Sequence, residues 1–102
     1  MSEKEICEKR YELDGKMLTP NLIKKDVDNE VLKFGFDVAF EALNKYNIEK
    51  DIAAYIKSKF DDEFYPCWQC IVGKDFSVSL THDSRNFIFF AIEKLYITIF
   101  RI

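Results

Sequence analysis

The chain has 102 residues, 48% of them hydrophobic, with ten phenylalanines and a formal net charge of −3. That length suits one compact domain and not two. The acidic background with no basic patch gives no footing for nucleic acid, and no apolar run approaches the roughly 20 residues of a membrane-spanning helix.

Residues 1–17 are polar and charged, too much so for a secretory leader. Within them Asp14-Gly15 lies between short alternating stretches, a hairpin signal. A frayed tail fits the same composition. Residues 1–20 are therefore read as an extension, flexible or a hairpin, ahead of a domain spanning 21–102. Leu22-Ile23-Lys24-Lys25 suits a short strand. Asp28 fits a helix N-cap, with Glu30 in the first turn where the helix dipole favours an acid. Val31, Leu32, Phe34, Val38, Ala39, Ala42, Leu43 and Tyr46 follow at helical spacing. Gly35 costs about 1 kcal/mol against Ala inside a helix, so it points to a close contact of that helix. Asn47 is a second N-cap candidate, before the stripe Ile48, Ile52, Ile56 and Phe60. Asp61-Asp62-Glu63 oppose the dipole at the end of this helix, and Pro66 marks the break.

Beyond Pro66 the period becomes two. Cys67 to Val72 reads as a strand closed by Gly73-Lys74-Asp75, and Phe76 to His82 alternates larger and small polar residues. Asp83-Ser84-Arg85-Asn86 is a turn cluster. Phe87 to Ile92 is apolar on both faces, and Glu93-Lys94 joins it to Leu95 to Phe100. The order predicts an α+β domain, two helices packed on an antiparallel sheet. Two helices cover one sheet face; a second copy of the chain is the economical cover for the other.

Catalytic patterns are weak. Cys67-Trp68-Gln69-Cys70 has the spacing of a redox motif, but residues three apart in a strand point to opposite faces. The three cysteines read as reduced cytosolic thiols. One histidine and no second cysteine pair do not make a zinc site, and the acids at 61–63 lack calcium-loop spacing. Gly73 has no phosphate-cradling pattern around it. No enzyme and no cofactor are expected. The stretch Phe76 to His82 suits either a solvated strand or an edge strand offering its main chain to an extended partner.

Ala42-Leu43-Asn44-Lys45-Tyr46-Asn47-Ile48-Glu49-Lys50-Asp51-Ile52-Ala53-Ala54-Tyr55-Ile56-Lys57 resembles the helical half of the eight-kilodalton cytoplasmic dynein light chains. Trp68 to Phe76, Thr81-His82 and Phe87 to Phe90 resemble the strand half. The likeness runs in register from about Leu22 to Arg101. It implies a strand-swapped homodimer in which the strand around Phe76 to His82 crosses to the partner's sheet. Two grooves would each take a client peptide as an added strand, so two client chains are brought together. The likeness places Asp75, Phe76, Ser77, Val78, Ser79, Leu80, Thr81 and His82 along the docking edge. Phe87 and Phe89 would floor the groove with Ala91 beside them, and Glu49 and Lys50 would read the glutamine of a Thr-Gln-Thr motif. Trp68, Gln69, Phe76, Val78 and Leu80 would lie at the dimer interface. The implied partners are a dynein intermediate chain and other linear-motif clients, in the cytoplasm or an axoneme, with no nucleic acid and no membrane.

Departures stand out. Ser79 and Ala91 occupy positions where the family usually has tyrosine, which removes two aromatic walls. Ser77 and Glu93 replace glycines, and Gln69 replaces a histidine at the family's interface. No serine follows Arg101, so a terminal phosphorylation switch is not expected. Two other readings remain: a structural axonemal subunit whose groove has diverged, and a thiol oxidoreductase using Cys67 and Cys70.

Overall fold

The computed structural model describes residues 1–74 and 86–101. In chain order the elements are α1 (Glu3–Glu8), the hairpin β1 (Tyr11–Leu13) and β2 (Lys16–Leu18), β3 (Asn21–Lys25), α2 (Asn29–Lys45), α3 (Glu49–Glu63), β4 (Trp68–Gly73), β5 (Phe87–Ile92) and β6 (Leu95–Arg101). The antiparallel four-stranded sheet has the order β3-β5-β6-β4, with a register shift in β3 between Leu22 and Lys24. Helices α2 and α3 cover one of its faces, as the α+β pattern predicts.

Helix α2 begins where an acid can serve its free amides. The Asp28 carboxylate accepts from Val31 N at 3.0 Å. Its buried residues include Leu32, Gly35, Phe36, Ala39 and Phe40, more than one face can supply to a sheet. The reason is that α2 is sandwiched. Phe36 meets Phe90 of β5 edge-on, with ring centroids 5.0 Å apart. Phe40 turns the other way and stacks on Tyr11 of the hairpin at 4.3 Å. Gly35 is the point of closest approach to the sheet: a Cβ there would lie 2.8 Å from Ile88 Cδ1.

Residues 1–18 are built onto this outer side of α2. Ser2 and Glu5 form a reciprocal capping box at α1, and Ile6 is buried. Asp14 and Gly15 turn the hairpin at φ 51° and 79°, the left-handed backbone an Asp-Gly turn supplies. Asn44 Nδ2 donates to Glu12 O at 2.9 Å, and Lys25 pairs with Glu3 at 3.0 Å.

Helix α3 starts one residue later than Asn47 would cap it. Ile48 is the N-cap, without a side-chain cap bond, and its carbonyl takes Asp51 N and Ile52 N at 3.0 Å. As a capping residue Ile48 is 62% exposed, so the buried stripe is only Ile52, Ile56 and Phe60. The acid at the far end has a structural use. Asp61 accepts from Trp68 N at 2.8 Å and from Lys57 at 2.7 Å, tying the end of α3 to the start of β4. These two donors hold its carboxyl below the usual carboxylate range.

The sheet has two distinct faces, because successive residues alternate. Ile88, Phe90 and Ile92 of β5 join Ile97 and Ile99 of β6 in the helix-side core. Phe87, Phe89 and Ala91 lie on the opposite face, paired across to Phe100, Thr98 and Tyr96. On β4 the same alternation puts Trp68, Cys70 and Val72 toward the helices and Gln69 and Ile71 away from them.

Candidate peptide-docking site

Asp75, Phe76, Ser77, Val78, Ser79, Leu80, Thr81 and His82 lie outside the described residues. The other residues assigned to docking and dimer contact fall into three places.

Phe87, Phe89 and Ala91 share the sheet face turned away from the helices. They are 5%, 8% and 5% exposed. Thr98, opposite Phe89, is buried as well. Around this patch Phe100 and Tyr96 are half-buried, and Ile71 is 42% exposed. Phe87, Phe89 and Ala91 thus form a buried apolar patch on the helix-remote face of β5, with the buried Thr98 beside it on β6 and Gln69 beyond on β4.

Glu49 and Lys50 begin α3 on the other side of the sheet. Glu49 lines a cleft of about 370 Å³. Its walls are the hairpin tip at Leu13 and Asp14, the end of α2 at Tyr46, and the β5–β6 turn at Glu93 and Lys94. The N-cap residue of α3, Ile48, makes no side-chain hydrogen bond to the first turn. One chain therefore carries Phe87 and Phe89 and the start of α3 on opposite sides of one sheet.

Trp68 and Gln69 separate likewise. Trp68 faces α3, packed against Phe60 at 4.9 Å and Phe64 at 6.1 Å. Its side chain is buried within its own chain, because the alternation of β4 sends it inward. Its buried indole Nε1 has no hydrogen-bond partner among the described residues. Gln69 lies on the helix-remote face opposite Phe100. Among the described residues, β4 and β3 are the edges of the sheet.

The cysteines do not form a redox pair. Cys67 precedes β4 and is exposed, whereas Cys70 packs against the helix-side core. Burial pushes the Cys70 thiol far up, away from the thiolate that exchange chemistry needs. Among the described residues no group of three or more His, Cys, Asp or Glu side chains could hold a metal ion, and no helix is long and apolar enough to cross a membrane.

Sequence signals missed the residues that seat the hairpin. Asp37, Phe40 and Asn44 recur at helical spacing on α2 and meet Lys9, Tyr11 and Glu12, and Lys33 braces Asp37 from one turn before. Only Phe40 in that stripe is apolar, so hydrophobic periodicity does not reveal it.

Comparison with known proteins gives a consistent result. The fold is similar to the dynein light chain-like domain of a calcium binding protein from Fasciola hepatica, with TM-score 0.75 and 16% identity, covering 90% of this chain and 99% of that one. A mercury derivative of the same domain matches at TM-score 0.69 and 18% identity, covering 81% of this chain and 91% of that one. At such identities the likeness establishes the fold alone. The family model for dynein light chain type 1 matches residues 19–102. With the hairpin outside that match and the whole helix-and-sheet layer inside it, the chain belongs to the dynein light chain family.

Proposed function

We propose that this protein is a non-catalytic, dimeric adaptor of a microtubule motor, capturing extended partner segments by strand addition in the cytoplasm or cytoskeleton. The observation that carries this reading is the split of the docking residues across the sheet. Phe87 and Phe89 sit on the helix-remote face, while Glu49 and Lys50 start α3 beyond the other. A client touching both groups is served by two chains, one giving the floor and the other the helix start. Ile71, Tyr96 and Phe100 keep apolar area on the helix-remote face for such a pairing to bury, and β4, a sheet edge among the described residues, supports main-chain pairing.

Docking through the main chain supplies affinity, and the floor and the α3 start supply selectivity. The proposed docking edge is Asp75 to His82, with Thr81 and His82 against the client. Trp68, Gln69, Phe76, Val78 and Leu80 are proposed at the dimer contact. Clients are linear motifs, a dynein intermediate chain among them. The experiment is a titration of the full chain with an intermediate-chain peptide alongside its molar mass in solution. A dimer that binds one peptide per chain supports the reading; a monomer that binds none contradicts it.

A second reading keeps the fold and the dimer but makes the chain a structural motor subunit with a diverged groove. Ala91, where the family has tyrosine, favours it. Under that reading, tyrosine at both 79 and 91 creates Thr-Gln-Thr binding that the unaltered chain lacks.

A further inference from the structure

The hairpin tip, which the family match does not cover, forms one wall of the cleft at the start of α3. The cleft holds about 370 Å³, within the range of about 300–1,000 Å³ for small-ligand cavities. Its floor is apolar: Ile52 and Ile92 are buried and Leu95 is half-buried. Its rim is charged. Asp14, Glu49 and Glu93 bring carboxylates and Lys74 and Lys94 bring ammoniums, an excess of one negative charge. Among the described residues none of these five joins a salt bridge or a side-chain hydrogen bond. Asp14 and Glu93 both stand at left-handed turn residues, φ 51° and 54°. The short Asp14 side chain on a tight turn keeps its carboxylate at the rim, whereas lysine stems carry their charge out to water. Glu93 keeps a side chain at a turn position that glycine would occupy without strain.

We propose that this cleft binds a small organic cation, an amine or guanidinium carried on an apolar body. The body lies on Ile52, Ile92 and Leu95, and the charge sits at the rim with Asp14 and Glu93. A ligand with one positive charge neutralises the excess on the rim, whereas an anion adds to it. The size favours a small molecule over an extended chain. The cleft is walled by the hairpin tip, the end of α2 and the β5–β6 turn, and its volume is that of about a dozen waters. The rim carboxylates at Asp14 and Glu93 are exposed, so each contributes up to about fivefold in affinity. Burial of the apolar body supplies the rest. The site is particular to this chain, because Leu13 and Asp14 belong to a segment outside the family match. It does not rest on the peptide-adaptor reading.

The test titrates the full chain with phenethylamine, its neutral counterpart phenethyl alcohol and the anion phenylacetate, by calorimetry and by amide shifts in NMR spectra. Phenethylamine should bind about tenfold tighter than the alcohol, and phenylacetate should bind weakest. The amides of Leu13, Asp14 and Glu93 should shift, and those of Ile71 and Phe100 should not. Asparagine takes the left-handed turn as readily as aspartate, and glutamine matches glutamate in shape. Asp14→Asn with Glu93→Gln should therefore lose the preference for the amine and keep the binding of the alcohol. Asp62→Asn, which removes an exposed acid outside the cleft, should keep the preference. If the double variant fails to fold, Glu93→Gln alone decides, with a loss of up to about fivefold. Equal binding of amine and alcohol, a preference that survives the loss of both rim acids, or no saturable binding of the amine overturns the proposal. A blocked peptide with a lysine among leucines that binds the cleft more tightly than phenethylamine also overturns it, and gives the site to a protein partner. The adaptor reading stands or falls by its own titration.

Discussion

Tyr11 lies flat on Phe40, ring centroids 4.3 Å apart and planes 4° from parallel. Its hydroxyl donates to Asp37 one helical turn earlier, and Lys9 and Lys33 pair with the same carboxylate at 3.4 and 2.9 Å. This contact fastens a segment outside the family match onto the helix that carries the family fold. Residues 1–18 are thereby an outer layer on α2.

Removing the ring should loosen that layer. Tyr11→Ala deletes a half-buried aromatic and its stack, for a loss of about 2 kcal/mol in urea denaturation. Tyr11→Phe keeps the stack and loses only the hydroxyl bond, for about 1 kcal/mol. Limited proteolysis should cut before residue 19 much faster in Tyr11→Ala than in Tyr11→Phe.

The Tyr11–Asp37 pair also sets a pH window. Its hydrogen bonds and neighbouring lysines outweigh burial and hold the Asp37 carboxyl below its usual range. A depressed carboxylate contributes stability above the unfolded value of about 4, lost as pH falls through the folded value. Burial, then the bond to Asp37, raises the Tyr11 phenol. A raised phenol contributes stability fully present below the unfolded value of about 10 and lost as pH rises through the folded one. Melting temperature should therefore fall toward acid below pH 4 and toward alkali above pH 10. Asp37→Asn should flatten both limbs, the acid limb most.

Gly35 is kept small by the sheet. Alanine gains up to about 1 kcal/mol of helix propensity, but its Cβ would meet Ile88 Cδ1 at 2.8 Å, and overpacking a filled core costs about 1–3 kcal/mol. Gly35→Ala should be net destabilising. Ile88→Val removes the clashing methyl, so the double variant should be more stable than the two single losses sum to. A double-mutant cycle on urea midpoints reads this coupling directly.

The thiols should differ sharply in reactivity. Cys67 is exposed, while burial raises the Cys70 thiol. Mass spectrometry after brief iodoacetamide treatment of the folded chain near pH 7.5 should find Cys67 alkylated and Cys70 untouched. Equal labelling of both would return the redox pair to consideration.

What was legible in the sequence follows the strength of local signals. Asp28, Gly35 and the apolar run Phe87 to Ile92 each have one dominant physical cause, and each has its expected place. The start of α3 was misread because Asn47 has the better capping chemistry, yet the helix starts after Ile48 without a side-chain cap. The inward turn of Trp68 follows from the phase of β4, set by Asp61 gripping Trp68 N, a contact that no local pattern encodes. The seat of the hairpin on α2 was hidden because it is mostly polar. At the docking site, the family likeness marked Ala91 as a departure, but only the β5–β6 register reveals Tyr96 as its cross-strand partner.

The central claim is that two copies of this chain together capture extended peptides. Sedimentation velocity of the full chain, alone and with a labelled intermediate-chain peptide, tests it most directly. The account expects a species of twice the 12.1 kDa chain mass, with one peptide co-sedimenting per chain. A 12.1 kDa species that leaves the peptide behind would contradict it.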